Sequence, residues 1–406
     1  MMYVSILFTL YLRNYNFMTR ILLVVGLTLS MCASGGADTV FSFHGVGDPV
    51  RRIDARSRSM GGAGRSLADG LNFSSHNPAL LGAFRKPAAS VQFLAQWRSL
   101  NDGSSVTVND GDVGAFQIVV PFGAGPVLGV GLEPLTDMDF GAVESRVSGN
   151  LAYTLDVEAT GGVQAIAIGI GQRVSRRLFL GARVHWVAMG TFNEAWTKTF
   201  NSQDIFFSRD EITRTHRGWL PSVGLVYTLA SRWSLGANAQ IGRKIKQRQI
   251  HRNRFVSVAA AQDIETERDV ELPHEFGAGL TYLAGYRWLA SADVSRSLWG
   301  KTGAGRFDTW DLSAGILWRT GNPDILVRSR RLELSAGLHY RSLYFPTSTG
   351  NQIGELGASF GVALPLKNDT GRFRYTVEVG RRGDHATHGA SERYIQQSFS
   401  ITGFVR

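Results

Sequence analysis

The sequence predicts an all-β fold, a transmembrane antiparallel β-barrel of about fourteen strands with an N-terminal plug in its lumen. Three observations carry that prediction. From Ser90 onward apolar and polar residues alternate with period two. The runs are joined by connections that are long and short by turns, and the chain opens with an export signal.

The alternation is explicit in Phe373-Arg374-Tyr375-Thr376-Val377-Glu378-Val379, where every odd position is apolar. Leu332 to Arg341 repeats it in the opposite parity, and Trp233, Leu235, Ala237, Ala239 and Ile241 alternate with polar or small residues. Such a strand has one face in an apolar medium and one in a polar medium. Runs of this kind cover 90–98, 114–122, 127–133, 163–171, 178–187, 221–229, 233–243, 275–283, 286–296, 311–319, 332–341, 356–366, 373–380 and 394–405. No stretch of comparable length has a helical period, which argues against an α/β enzyme.

Tight turns follow the second, sixth and eighth runs, as Gly123-Ala124-Gly125-Pro126, Ala230-Ser231-Arg232 and Ala284-Gly285. Long stretches, 134–162, 188–220 and 244–274, follow the third, fifth and seventh. Membrane barrels have this asymmetry, and an even strand number leaves both termini in the periplasm. A soluble β-sandwich has no reason to gather its long loops at one end. The polar side is also rich in small residues such as Gly129, Gly131, Gly277 and Gly315, which suits a crowded lumen.

The apolar run Ile21–Ala33 follows Thr19-Arg20 and precedes the small residues Ala33 to Ala37, the pattern of a secretory signal peptide. It is too short to span a bilayer as a helix, which takes roughly 20 residues. Cleavage is expected after Ala37, with Met18 a better start than Met1. The expected organisation is therefore a signal peptide over 1–37, a plug over 38–87 and a barrel over 88–406. Cys32 lies within the signal, so the mature chain has no disulfide. Met31 sits where a lipoprotein signal needs a small residue.

Lys and Arg outnumber Asp and Glu by 43 to 33, a formal charge of +10. The basic residues are scattered, and clusters such as Arg243 to Arg254 fall between strands, so outer-membrane lipid and lipopolysaccharide phosphates are the expected partners rather than nucleic acid. No Gly-x-Ser-x-Gly, no His-Glu-x-x-His and no paired cysteines occur. No enzyme activity, metal or cofactor is expected.

Before the first run lie Arg58-Ser59-Met60-Gly61-Gly62-Ala63-Gly64, Leu67-Ala68-Asp69 and Asn77-Pro78-Ala79-Leu80. A phosphate loop would need a following Gly-Lys-Ser/Thr, which is missing. Gly61, Gly62 and Gly64 instead permit positive φ and close approach to a wall, and Asn77-Pro78 opens a turn leading into a short helical piece at Ala79.

This order of motifs, with the fourteen runs behind it, resembles the FadL/TodX family of long-chain fatty acid transporters, whose plug is called a hatch. A neighbouring resemblance is to PorV-like proteins of type IX secretion, whose motif reads Asn-Pro-Ala-Gly where this chain has Leu80. The first resemblance implies uptake of hydrophobic compounds such as long-chain fatty acids. They would be captured at extracellular loops and released sideways through the wall at a kinked third strand. The second implies a role in protein secretion or surface attachment. Pro134, after Val127–Glu133, is the candidate kink, or else it simply ends the strand.

Phe192, Trp196, Phe200, Phe206 and Phe207 in the stretch 188–220 are candidate substrate contacts, or else an aromatic girdle. Ionisable residues of both signs face the lumen around the wall and are expected mostly to pair with one another or with the plug. Arg183 and His185 are the candidates for meeting a substrate carboxylate. The last run, with Phe399 and Ile401 on one face, offers the barrel assembly machinery a partial signal, and a monomer is expected.

Overall fold

Alternation over this many runs closes the chain on itself. The computed structural model describes residues 46–101, 105–148, 151–200, 207–255, 263–320, 332–346, 350–366, 370–389 and 391–404. Fourteen antiparallel strands form one closed barrel. They are β1 (Ala88–Asn101), β2 (Ser105–Pro121), β3 (Val127–Asp137, continued by Phe140–Ser148), β4 (Leu151–Arg173), β5 (Leu178–Phe200), β6 (Phe207–Ala230) and β7 (Trp233–Gln240, continued by Lys244–Phe255). Then follow β8 (Ile264–Glu271, continued by Glu275–Ala284), β9 (Trp288–Ser297), β10 (Thr309–Arg319), β11 (Glu333–Pro346), β12 (Gln352–Pro365), β13 (Gly371–Gly383) and β14 (Ser391–Phe404). Closure comes from β14 on β1, from Ser391 opposite Asn101 to Phe404 opposite Ala88. A closed barrel pairs every strand edge, the condition for strands to cross lipid.

The alternation sorts the residues by face. Ile168, Leu225, Leu235, Ile316, Leu338 and Phe360 point outward and stay exposed, while their neighbours point in and are buried. Trp186 and Trp219 stack at 5.5 Å on one side of this apolar band. At the short-turn end Trp233 meets Tyr282 at 4.4 Å and Trp288 meets Trp318 at 6.1 Å. Along β6, Trp219 and Tyr227 lie about 26 Å of strand apart. Tilted, that is about 20 Å, close to the height of a bilayer's apolar core.

The stretches 134–162, 188–220 and 244–274 differ from the sequence reading, which took them for loops. They are largely strand: β4 and β5 run for 23 residues each and β6 for 24, about twice the 9–11 that cross a membrane. Their upper halves stand above the bilayer, where the outward face is in polar surroundings while inward residues such as Leu155, Val157, Phe192 and Leu220 stay buried. Polar residues such as Asp156, Glu158, Arg209 and Glu211 therefore take the outward positions that are apolar within the membrane.

Residues 46–87 lie inside the barrel. A short helix, α1 (Ala55–Arg58), is capped by Asp54, whose carboxylate accepts from Ser57 N at 2.8 Å. A 3₁₀ turn over Pro78–Ala83 is capped by Asn77, whose Oδ1 accepts from Ala79 N at 3.1 Å. Gly61 (φ 70°) lies against the backbone of Leu338, at an approach no Cβ would allow. The wall answers with its own glycines. A Cβ on Gly337 would strike the backbone of Met60 and Gly61, and one on Gly181 would strike Pro78.

Gly181→Val should therefore unseat the 3₁₀ turn while leaving the barrel closed. We expect normal heat-modifiable migration together with new protease cleavage between residues 46 and 87. Full protection of that segment in the variant would show that the close packing at Pro78 is not needed.

Candidate functional site

The third strand begins as an ordinary wall strand. Val127 to Leu132 pair with β2, from Pro121 to Phe116. Then Glu133-Pro134 intervenes, and proline has no N–H to give a ladder. The strand continues through Pro134, but its register on β4 slips, with Pro134 opposite Gln164 and Thr136 opposite Val163. Such a bulge bends its strand.

Beyond the bulge, the described ladder pairs of the third strand are with β4 on one edge and with the inner segment on the other. Asp48 pairs with Asp137 and Pro49 with Thr136. Val50 N donates to Leu135 O at 2.9 Å. The edge that β2 holds below Leu132 is held above it by two residues from inside the barrel.

Those two residues are strongly anchored. Asp48 is buried and meets Arg382 at 2.7 Å and Arg341 at 3.3 Å, while Arg341 Nη1 donates to Pro49 O at 2.8 Å. The Tyr344 hydroxyl donates to Gly47 O at 2.9 Å and accepts from Val46 N at 3.1 Å. Further along, Arg51 binds Glu378 at 2.6 Å and Arg52 binds Glu275 at 2.6 Å. Asp293 accepts from the backbone N–H groups of Gly64 and Arg65 at 2.9 and 2.8 Å. The buried charges of segment and wall thus face one another in pairs, the arrangement that makes their desolvation tolerable.

Above this seam the lumen is apolar. Val46, Leu135, Val163, Phe192, Leu220, Ile245 and Leu272 belong to one buried cluster with Trp299, Tyr344 and Phe345. Trp299 stacks on Tyr344 at 4.0 Å, with the Arg306 guanidinium 5.7 Å from each ring. A cavity opens into this cluster between Val46, Leu135, Leu220 and Trp299. Two more adjoin the bulge and share Val50, Arg51, Arg58, Leu94 and Pro134 in their walls. Polar seam, apolar chamber and bulged strand meet at Val50 and Leu135.

Arg183 and His185 project inward from β5 and are buried against Glu133, at 3.7 and 3.4 Å. Glu133 also accepts from Gln117 Nε2 at 2.9 Å and from the Ser75 hydroxyl, so it ties the third strand to β2, β5 and the inner segment. Phe192 stands in the apolar cluster, edge-on to His216 at 5.0 Å. Trp196 and Phe200 lie higher on β5 and are half-buried, Phe200 against Tyr153 at 5.6 Å. Phe207 opens β6. Phe206, Met18 and the signal segment lie outside the described residues.

Among the inner glycines, Gly62 and Gly64 have φ of 104° and 144°. Asn77 Nδ2 donates to Arg65 O at 2.8 Å and Leu225 O at 3.0 Å. Pro78 and Ala79 lie in the 3₁₀ turn that Asn77 caps. His339, Glu355 and Glu378 lie close enough together to ring a cation. However, Arg341, Arg382 and Arg51 already neutralise the two carboxylates, and the Tyr394 hydroxyl lies within hydrogen-bond distance of both, with one proton to give to either. Sequence reasoning missed Asp48, Glu133, Trp299 and Tyr344 as parts of the site. Only the juxtaposition Glu133-Pro134 offered a signal.

The closed barrel of fourteen antiparallel strands is the fold of FadL-type outer-membrane proteins. A FadL homologue of Pseudomonas aeruginosa superposes with a TM-score of 0.63 at 12% identity, covering 88% of this chain and 100% of that one. The toluene transporter TodX of Pseudomonas putida does so at 0.56 and 14%, covering 88% and 99%. The monoaromatic hydrocarbon channel CymD gives 0.56 and 14%, with 87% and 98%. By sequence the family model that matches, over residues 17–402, is BamG, and the chain belongs to that family. No curated protein matches it.

Asp48→Asn should leave Arg341 and Arg382 short of one buried counter-charge, at a cost of about 3–5 kcal/mol. We expect a lower urea midpoint for the inner segment's protection from proteolysis than in the wild type. An unchanged midpoint would show that the third-strand contact does not depend on this anchor.

Proposed function

We propose that this protein admits hydrophobic small molecules through the outer membrane, with capture at the long hairpins and release sideways at the third strand. The observation that carries the proposal is the exchange of the third strand's edge at Leu132, where wall pairing gives way to a two-residue inner strand. A segment of two residues can withdraw without unfolding a wall strand. The apolar cluster lies directly behind it, so an apolar solute would pass from chamber to lipid without crossing water. Hydration of each CH₂ along an aqueous route would cost about 0.8 kcal/mol.

Long-chain fatty acids and aromatic hydrocarbons are the proposed cargo. The fold is shared with channels described for toluene and monoaromatic hydrocarbons, which supports the second class. In this reading residues 38–87 act as a hatch, both termini face the periplasm and the barrel works as a monomer. Arg183 and His185, held at Glu133, would meet an acidic headgroup that displaces that carboxylate. Phe192 would line the passage with Trp196 and Phe200 toward its outer mouth, and Phe206 and Phe207 are proposed as further contacts for the solute.

A second reading is supported by the family match. BamG points to a link with barrel assembly, and an accessory barrel for protein secretion or assembly would use the same plugged wall as a docking body. Loss of the gene would then deplete other outer-membrane or surface proteins and leave solute entry unchanged.

Pro49→Cys with Thr136→Cys places a disulfide across the inner strand and β3, which are directly paired. In cells the oxidised protein should take up a hydrophobic probe at less than a tenth of the reduced rate. Equal uptake in both states would remove the inner strand as the gate. No uptake by the wild type would favour the second reading.

A further inference from the structure

The connection between β9 and β10, residues 298–308, sends an aromatic ring into the barrel. Its tip, Gly303, Ala304 and Gly305, is exposed, whereas Trp299 is buried. A 3₁₀ turn over Trp299–Lys301 carries the ring, and the connection braces that turn. The Thr302 hydroxyl donates to Trp299 O at 2.8 Å and accepts from Arg306 Nη1 at 2.8 Å. Asp308 accepts from Gly300 N at 2.9 Å and meets Arg296 at 2.7 Å. Phe307 N donates to Tyr344 O at 2.8 Å, which fastens the connection to β11.

The Trp299 ring has two kinds of neighbour. It stacks on Tyr344, with centroids 4.0 Å apart and planes 14° from parallel, and the Arg306 guanidinium is 5.7 Å from both rings. It also belongs to the wall of the apolar cavity, together with Val46, Pro49 and Leu135. Tyr344 in turn spends its hydroxyl on the inner segment, donating to Gly47 O at 2.9 Å and accepting from Val46 N at 3.1 Å. Asp48 and Pro49, the next two residues, pair with the third strand. A tyrosine hydroxyl keeps directed bonds only while its ring is held, and stacking together with a cation restrains the ring. One chain of contacts therefore runs from the chamber wall through Trp299 and Tyr344 to the inner strand.

We propose that Trp299 and Arg306 are positioning residues for the inner strand. They clamp the Tyr344 ring, its hydroxyl holds Val46 and Gly47, and an apolar solute that moves Trp299 aside loosens that hold. The link stands on these contacts alone, and its bearing on uptake rests on the gate proposed above.

The test is hydrogen exchange of the full chain in detergent micelles, read on the peptide spanning residues 46–53. Trp299→Ala keeps the hydroxyl and removes the stack, while Tyr344→Phe keeps the stack and removes the hydroxyl. Each should speed exchange of that peptide about tenfold. The double variant should be no faster than the faster single one, because both changes break the same chain of contacts. Trp299→Phe, which restores a ring, should recover protection to within about threefold of the wild type. Arg306→Gln leaves both rings in place and should exchange about threefold faster, so the link stays testable if the alanine variant does not fold. Toluene should speed exchange in the wild type and add nothing in Trp299→Ala. Wild-type exchange in Trp299→Ala or in Arg306→Gln would overturn the proposal. So would effects that multiply in the double variant, or a wild type indifferent to toluene. Absence of probe uptake alongside the expected exchange would count against the gate and leave the positioning role standing.

Discussion

The pairing of buried charge between the inner segment and the wall is the constraint on which the rest of the structure depends. A barrel of fourteen strands encloses more volume than wall side chains alone can fill, and the chain fills it with its own first residues. That segment is rich in arginine because the inward face of a barrel is polar. It can be buried there only if each guanidinium finds a carboxylate. Glu275 and Glu378 stand at inward positions on β8 and β13 for that reason, while Glu333 and Glu355 pair with the wall's own Arg374 and Arg382. Removing either member of such a pair strands the other in a dry lumen, so segment and wall hold their register together.

That seam also determines where the interior becomes apolar. It ends at Asp48 and Pro49, above which Val46 meets Leu135 and Trp299 in the buried cluster. The boundary lies at the same height as the bulge after Pro134, and the agreement has a geometric cause. A third strand that slips register after Pro134 no longer pairs with β2 beyond Leu132, and the open edge needs new partners. The inner strand supplies two main-chain pairings at little cost, because Arg341 and Arg382 already hold it beside that edge. Strand irregularity, buried ion pairs and apolar chamber are thus one arrangement.

The barrel was legible in the sequence because a membrane wall imposes period two on every strand, and Tyr375 or Leu235 can only face lipid. The backbone demands of Gly61, Gly62, Gly64 and Asn77 are local, so a sequence pattern can express them. What could not be read was anything fixed by strand register. Asp48 meets Arg341 and Arg382 across nearly the length of the chain, and no local pattern links them. The extensions above the membrane are hidden because their outward face is polar there, which removes the apolar positions that mark a lipid-facing strand. Arg183 and His185 stood out by type and parity, but their partner Glu133 was seen only as the residue before a proline.

The division of the lumen bears on what such a barrel can carry. A water-filled porin needs a continuous polar path, whereas here the polar half is packed with paired side chains and the remaining half is apolar. A hydrophilic solute would have to break the ion-pair seam, with a penalty of several kcal/mol at each pair. An apolar one meets Leu135, Leu220 and Trp299 first, then a wall whose pairing is weakest where those residues end. The same features explain why the seam is so heavily built. The exit proposed at the third strand would stay closed only if the segment that closes it is held more firmly than the strand is, and four anchors on Val46 to Pro49 supply that hold.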